Sequence, residues 1–335
     1  MVPGKIFITG ATGFIGAYIV RELVEHGYQV RALKRRESRI PFFIPSGIMD
    51  QVEWIEGDLM DVVSLEEGME GVQAVVHAAA MVSFHKRDQR QMYRVNIEGT
   101  ANVVNIALAA QVPRFVHISS VAAIGRKQSS EQVTEDQKWE KNKTTTHYSI
   151  TKFRAEVEVW RGIGEGLNAV ILNPSTVIGF GDWNSSSSAI FKNVYHEFPW
   201  YTHGINGFVG VEDVARAARL LMESPISEER FIVSSENWSF RQLFDTIAEQ
   251  LGKKKPSREA TPFLGEIAWR VEGIKSLFTG KRPLLTRESA RVAQSRTYFN
   301  NRKILDALAG FSFTPLVKTI ENASKEYLLA INKDE

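Results

Sequence analysis

The sequence predicts a doubly wound parallel α/β sheet followed by a smaller, mainly helical cap. Three observations carry that prediction. At the N-terminus an apolar strand (Ile6 to Ile8), glycines at 10, 13 and 16, and helical apolar spacing from Phe14 to His26 follow one another. A nearly continuous apolar run of strand length spans 74–80, as a strand covered on both faces requires, and strand patterns return at 114–120 and 167–172. Segments of helical spacing separate these runs, and strands alternating with helices at such intervals build a parallel sheet.

Each glycine of the first turn has a physical task. Gly10 lets the chain turn sharply, Gly13 lets backbone N–H groups approach a pyrophosphate, and Gly16 lets the helix pack on the strand. Phosphates suit a helix N-terminus, where unpaired N–H groups and the dipole favour anions. The turn Gly10, Thr12, Gly13, Phe14, Ile15 and Gly16 therefore reads as a dinucleotide site of the Rossmann type.

Gly27 ends the first helix, and Gln29 to Leu33 resumes an extended pattern. An NAD site usually places a carboxylate just beyond that strand, to bind the adenosine ribose hydroxyls. This chain has Lys34, Arg35 and Arg36 there, with Ser38 and Arg39 following. Guanidinium groups suit a 2′-phosphate, so NADP(H) is expected in preference to NAD(H), with Arg35 leading and Arg36 or Arg39 in support.

Val52 to Gly57 reads as a third strand ending at Asp58 and Leu59, and His77 in the 74–80 run as a hydrogen-bonded core residue. A helix is expected over Gln91 to Ala110, and a polar loop over Arg126 to Thr146 that enters a helix at His147. Tyr148 and Lys152 lie four apart and share one helical face. Asn184 and Ser185 to Ser188 suggest a mobile lid or a plain surface loop. Phe208 to Asp213 returns to the sheet region and opens a helix over Val214 to Glu223, with Asp213 as N-cap or first-turn acid. Arg230 to Val233 is a further strand.

From Glu236 the chain reads as mainly helical: Phe240 to Leu251, Pro262 to Thr279, Thr286 to Gln294 and Leu316 to Ile331. In the second of these Leu264, Ile267, Ala268, Val271, Ile274, Leu277 and Phe278 form one apolar stripe, expected to face the rest of the protein. Residues 1–173 with about 208–235 are thus expected to form the dinucleotide-binding domain, and about 174–207 with 236–335 a substrate-binding cap.

Bulk properties narrow the function. The 335 residues carry 41 basic and 39 acidic side chains, a net +2 that offers no global field for nucleic acid. The absence of cysteine excludes disulfides, zinc thiolates and thiol nucleophiles. The seven histidines are scattered without metal-ligand spacing, so no metal is expected. No run has the length of a membrane span, and the chain opens directly on its first strand, so a cytoplasmic protein is expected.

The motifs, taken in order, resemble those of the extended short-chain dehydrogenases/reductases. They are Thr9 to Gly16, Gly57-Asp58-Leu59, His77 to Ala80, Asn96 to Thr100, His117 to Ser120, Tyr148 with Lys152, Asn173-Pro174, and Gly179 to Asp182. Val30 to Leu33 and Val209 to Arg216 bring the chain closest to the dihydroflavonol 4-reductase and 3β-hydroxysteroid dehydrogenase-like branch of the NAD(P)-dependent epimerase/dehydratase superfamily. The resemblance implies that Ser120, Tyr148 and Lys152 are catalytic and that Asn96 shapes the site from its helix. Ser119 is adjacent, but counting back from Gly125 selects Ser120. It also implies cofactor contacts at Asp58 and Leu59 (adenine), at Ala78, Ala79, Ala80 and Ser119, at Tyr148 and Lys152, and at Pro174, Ser175, Thr176 and Val177 (nicotinamide carboxamide). Phe180 departs from the proline common in relatives and leaves the wall beside the nicotinamide open. A homodimer through helices Gln91 to Ala110 and Tyr148 to Ile163 is also implied.

The chemistry agrees. Hydride transfer to a carbonyl carbon builds negative charge on oxygen, which needs a proton donor and an oxyanion partner. Tyr148 would donate, brought towards neutral pH by the Lys152 ammonium, while Ser120 holds the substrate oxygen and Lys152 the nicotinamide ribose. Val82, Phe84, Val121, Trp183, Trp200 and Tyr201 are candidates for an apolar pocket lining, and each also suits ordinary core. The expected activity is NADP(H)-dependent reduction of a ketone or aldehyde of a fairly apolar metabolite, or oxidation of the alcohol. One alternative is a nucleotide-sugar epimerase or dehydratase that retains NAD; against it, the acidic ribose clamp is missing and Ser120 is followed by Val121-Ala122-Ala123. The other is a non-catalytic dinucleotide-sensing protein, although both Tyr148 and Lys152 are kept.

Overall fold

The computed structural model describes residues 4–125, 132–142, 145–184, 186–267, 269–270 and 287–334. Its first half alternates as the pattern dictates: β1 (Lys5–Thr9), α1 (Phe14–Glu25), β2 (Gln29–Lys34), α2 (Ser46–Met49), β3 (Glu53–Glu56), α3 (Val62–Met69) and β4 (Ala74–His77). There follow α4 (Gln89–Tyr93), a π-helical turn (Arg94–Glu98), α5 (Gly99–Ala109), β5 (Phe115–Ile118), α6 (Val121–Ile124), α7 (His147–Gly164) and β6 (Ala169–Pro174). The next elements are β7 (Thr176–Ile178), α8 (Ala189–Tyr195), β8 (Trp200–Tyr201), β9 (Ile205–Gly210), α9 (Val211–Glu223) and β10 (Glu229–Val233). Then come β11 (Glu236–Ser239), α10 (Phe240–Gln250) and β12 (Arg258–Glu259), and helices at Arg287–Gln294, Arg302–Ala307 and Leu316–Asp334.

Seven parallel strands in the order β10-β6-β5-β4-β1-β2-β3 form the central sheet. Successive side chains of a strand point to opposite faces. Ile6 and Ile8 of β1 accordingly join a core with α1 and α9, through Ile19, Leu23, Val214 and Leu221, while Phe7 joins Leu65, Val104, Phe115 and Val159 beneath α3, α5 and α7. Each such fully buried side chain contributes about 1.5–3 kcal/mol. Reversal of strand order between β4 and β1 opens the crevice at the carboxyl ends of the strands where ligands of such sheets bind.

Several expectations are corrected. The strand near residue 208 lies outside the central sheet: β9 pairs with β7 and β11 in a separate three-stranded sheet. Helix α9 opens at Val211 on Gly210 rather than at Val214; Asp213 is then a first-turn acid, one of the two expected alternatives, and accepts the Thr314 amide at 2.7 Å. Ser186–Ser188 form a 3₁₀ turn leading into α8, with Ser188 buried; Ser185 is outside the described residues. Two- to four-residue strands also interrupt the region read as helical. Of the apolar stripe, Leu264 and Ile267 are exposed, while Ala268, Val271, Ile274, Leu277 and Phe278 lie outside the described residues, as do Thr286, residues 126–131 and 143–144.

Candidate active site

The β1–α1 turn has the form that the glycines require. Gly10 is left-handed at φ +79°, and a Cβ there would stand 2.6 Å from the Ala79 nitrogen and 2.7 Å from the Ala78 carbonyl carbon. A Cβ on Gly16 would meet the Gly10 carbonyl oxygen at 2.1 Å, so any side chain would push the helix start off the turn. Gly13 caps α1 with no side-chain hydrogen bond, and the first turn contains no acid. The helix therefore presents unpaired N–H groups, alongside Thr12, Phe14 and Ile15, as an anion site does. Arg35 and Arg36 stand exposed beyond β2, Arg35 lying 3.3 Å from Glu37. Past β3, Asp58 is exposed and accepts the Met60 amide at 2.6 Å, while Leu59 is buried.

At the other end of the crevice, the strand end of β5 and the start of α7 meet. Thr146 and Ser149 form a reciprocal capping box, each side chain 3.0 Å from the other's backbone nitrogen, which starts α7 just before Tyr148. Ser120 caps α6, its Oγ accepting the Ala122 amide at 3.2 Å, and its hydroxyl acts on the Tyr148 phenol, lowering its pKa against the rise that burial causes. Lys152, one turn along α7, is buried and donates from Nζ to the Ile118 carbonyl at 3.0 Å. Burial lowers its pKa to about 8, and the Glu156 carboxylate opposes that fall. Tyr148 itself behaves otherwise than expected: burial pushes the phenol above its ordinary value, and the opposing influence is the Ser120 hydrogen bond, with the lysine turned to Ile118.

The hydroxyl of Ser119 is buried and donates to Glu156 Oε2 at 2.7 Å. Asn96, expected to shape the site from its helix, is buried on the π turn. The π turn aims its amide at Met81: Oδ1 accepts the Met81 N–H at 2.7 Å, and Nδ2 donates to the Met81 carbonyl at 2.9 Å and to Thr151 Oγ1 at 3.0 Å. It thereby pins the segment that follows Ala80.

Pro174 ends β6, the Ser175 amide donates to the Val233 carbonyl at 3.0 Å, and Thr176 and Val177 begin β7. Asn173 Oδ1, Ser175 Oγ and Asn206 Oδ1 are buried there without a hydrogen-bond partner. Such orphaned acceptors, with the bare helix start at the other end, fit a dinucleotide carrying phosphates and a carboxamide. His77 is the hydrogen-bonded core residue the sequence suggests: Thr9 Oγ1 and Thr100 Oγ1 lie 2.7 and 2.9 Å from its ring nitrogens, and it stacks on His117 at 5.2 Å.

Of the pocket candidates, Phe84 meets Tyr148 edge-on at 6.2 Å, and Val82 is exposed. Three pack against other side chains, as the alternative of ordinary core allows. Val121 packs with Ile124, Val133, Ile232 and Phe299; Trp183 stacks on Tyr327 at 5.8 Å; Tyr201 is buried beneath the Arg241 guanidinium. Trp200 lies on β8 under the Arg258 guanidinium. Sequence reasoning passed over Glu156 and Arg230 and gave Asn173 only as part of a motif, whereas the three form a network behind Ser120; the signal for Glu156 was its recurrence one turn after Lys152 on the face of Tyr148. Among the described residues no group of side chains suits a metal ion, and no helix is long and apolar enough to cross a membrane.

Comparison with known proteins agrees with this geometry. A Synechocystis protein provisionally named dihydroflavonol 4-reductase is 31% identical over 310 residues, covering 90% of this chain and 88% of that one. Cinnamoyl-CoA reductase 1 of Petunia hybrida is 32% identical over 248 residues, 69% of this chain and 73% of that one. The crystal structure of gox2253 superposes with a TM-score of 0.82 at 29% identity, covering 97% and 98% of the two chains. Residues 6–233 match the model of the NAD dependent epimerase/dehydratase family. The chain therefore belongs to that family, as an NAD(P)-dependent oxidoreductase of the extended short-chain type.

Proposed function

We propose that the protein is an NADP(H)-dependent reductase of a ketone or aldehyde on a fairly apolar metabolite, working through Ser120, Tyr148 and Lys152. The observation that carries this reading is the meeting of Ser120, just past the end of β5, with Tyr148 in the first turn of α7, and Lys152 buried one helical turn further along. The turn from Gly10 to Gly16 would hold the pyrophosphate, the segment Pro174 to Val177 the carboxamide, and Arg35 with Arg36 the 2′-phosphate. The cofactor supplies hydride when bound. Tyr148 holds the proton that the nascent alkoxide needs, and burial keeps it protonated well above neutral pH. Ser120 orients the carbonyl oxygen towards Tyr148, and the Lys152 ammonium offsets negative charge as the proton leaves. Phe84, set against the Tyr148 ring, supplies an apolar wall. The family resemblances to reductases support reduction over epimerisation.

The test is a spectrophotometric panel of aromatic, alicyclic and aliphatic ketones and aldehydes, run with NADPH beside NADH. Carbonyl-dependent oxidation of NADPH at a lower KM than NADH is expected. Preference for NADH would remove the role of Arg35, and stoichiometric NAD in the purified protein would favour the epimerase or dehydratase reading.

A further inference from the structure

Glu156 lies two helical turns from Tyr148 and one from Lys152, with its side chain 3% exposed. A buried carboxylate persists only when its charge is matched and its oxygens are hydrogen-bonded. Here Oε2 accepts from Ser119 Oγ at 2.7 Å and from Asn173 Nδ2 at 2.7 Å, and Oε1 from Arg230 Nη1 at 3.0 Å and Trp160 Nε1 at 3.4 Å. We propose that Glu156 is a positioning residue for the Ser120, Tyr148 and Lys152 site, fixing the strand end that carries Ser120 and sustaining the positive charge of Lys152. The proposal rests on the catalytic reading given above.

Two of the four contacts converge on Ser120. Ser119 is its chain neighbour, and the same Asn173 Nδ2 that binds Glu156 also donates to the Ser120 carbonyl at 3.0 Å. Lys152 holds the preceding Ile118 carbonyl, so residues 118–120 are secured from three sides. Arg230 belongs to β10 and also donates to the Glu135 and Gln137 carbonyls, so one guanidinium balances Glu156 and anchors the loop beside α6.

Charge follows the same geometry. The ionisable groups around Lys152 are Glu156 and Tyr148 on α7 and the buried His117 and His77 on β5 and β4, with Arg230 beyond Glu156. Burial and the ammonium keep both histidines neutral, which leaves Glu156 as the anion opposing the loss of the Lys152 proton. Removing its charge moves the Lys152 titration downward, and the alkaline limb of carbonyl reduction moves with it.

The experiment uses the full chain labelled with [ε-13C]lysine, the Lys152 resonance being assigned by its loss in Lys152→Arg. In folded Glu156→Gln the Lys152 titration is expected about one pH unit lower than in wild type, and the alkaline limb of NADPH oxidation with the best carbonyl of the panel shifts equally. A titration unchanged in Glu156→Gln overturns the charge role. Glu156→Asp keeps the charge and shortens the reach; it is expected to retain the Lys152 titration and lose about tenfold in kcat through misplacement of Ser120. Wild-type kcat in Glu156→Asp overturns the positioning role. Should wild type oxidise NADPH with no carbonyl, the catalytic reading falls, while the NMR titration still decides the charge role.

Discussion

Lys152 and Tyr148 show why two side chains on one helical face do not share one environment. The lysine is buried against a backbone carbonyl, with its pKa lowered to about 8, while burial raises the tyrosine and the Ser120 hydrogen bond opposes that rise. Two further titrating groups lie in the sheet. His77 is lowered to about 3 by burial, helped by the Lys152 charge, and His117 is lowered well below its ordinary value for the same reasons. Folded pKa values below the unfolded value of about 6.5 mean that their contribution is fully present above pH 6.5 and is lost as pH falls towards 3. Urea unfolding at pH 5 should give a stability about 2 kcal/mol below that at pH 7 from His77 alone, with His117 acting in the same direction. An acid-insensitive midpoint in this window would contradict the burial. Arg35, exposed and facing only Glu37, should be dispensable for folding. Arg35→Ser is expected to raise KM for NADPH about tenfold and leave NADH unchanged; equal changes in both would remove it from the 2′-phosphate. That Tyr148 and Lys152 share a face of α7 was legible because a spacing of four maps onto one helical face. The surroundings of Glu156 were not, because its partners Ser119, Asn173 and Arg230 come from the residue after β5, from β6 and from β10 and meet it only in the fold.

Strands and helices differ in how openly the chain declares them. The apolar runs of β1, β4, β5 and β6 are legible because both faces are covered and nearly every residue must be apolar. Strands β7, β8, β11 and β12 span two to four residues, too few for any period, and are held by partners distant in sequence. The break of α4 and α5 by a π turn was also hidden, since Asn96 and Thr100 reveal their partners only once His77 and Met81 are beside them. That turn makes a prediction. Asn96→Ala leaves the buried-side Met81 N–H and carbonyl without their partner and should cost about 1–3 kcal/mol. Because the Met81 segment borders Phe84, KM for the carbonyl should rise more than kcat falls; an unaltered KM would separate this segment from the pocket.

Two tyrosines, one from each half of the molecule, hold the loop at Gly179 to Gly181. Tyr18 of α1 donates to the Phe180 carbonyl at 2.8 Å, and Tyr327 of the last helix accepts the Gly181 amide at 3.0 Å and donates to the Gly179 carbonyl at 3.2 Å. The loop that carries Phe180 is thus held from both sides. Tyr327→Phe removes both bonds and should destabilise the protein by about 1–3 kcal/mol in thermal melts; no change would mean that the loop is held otherwise. We propose residues 174–207 with 236–335 as the substrate-binding cap, supported by a core of Ile178, Phe191, Leu243, Ile247, Leu316 and Ile320. Ile304, Leu308 and Phe311 of the same stretch pack against the central sheet and root the cap there. We further propose a homodimer through α5 and α7, which Arg161 ties at 2.7 Å to Asn105; sedimentation at micromolar concentration should give twice the chain mass, and a single-chain mass would count against it. The proposed proton donor of an NADP(H)-dependent reduction, Tyr148, is tested most directly by pairing turnover with NADPH titration calorimetry on Tyr148→Phe: a turnover loss of about a hundredfold or more is expected, with a Kd within about threefold of wild type. Undiminished turnover would contradict it.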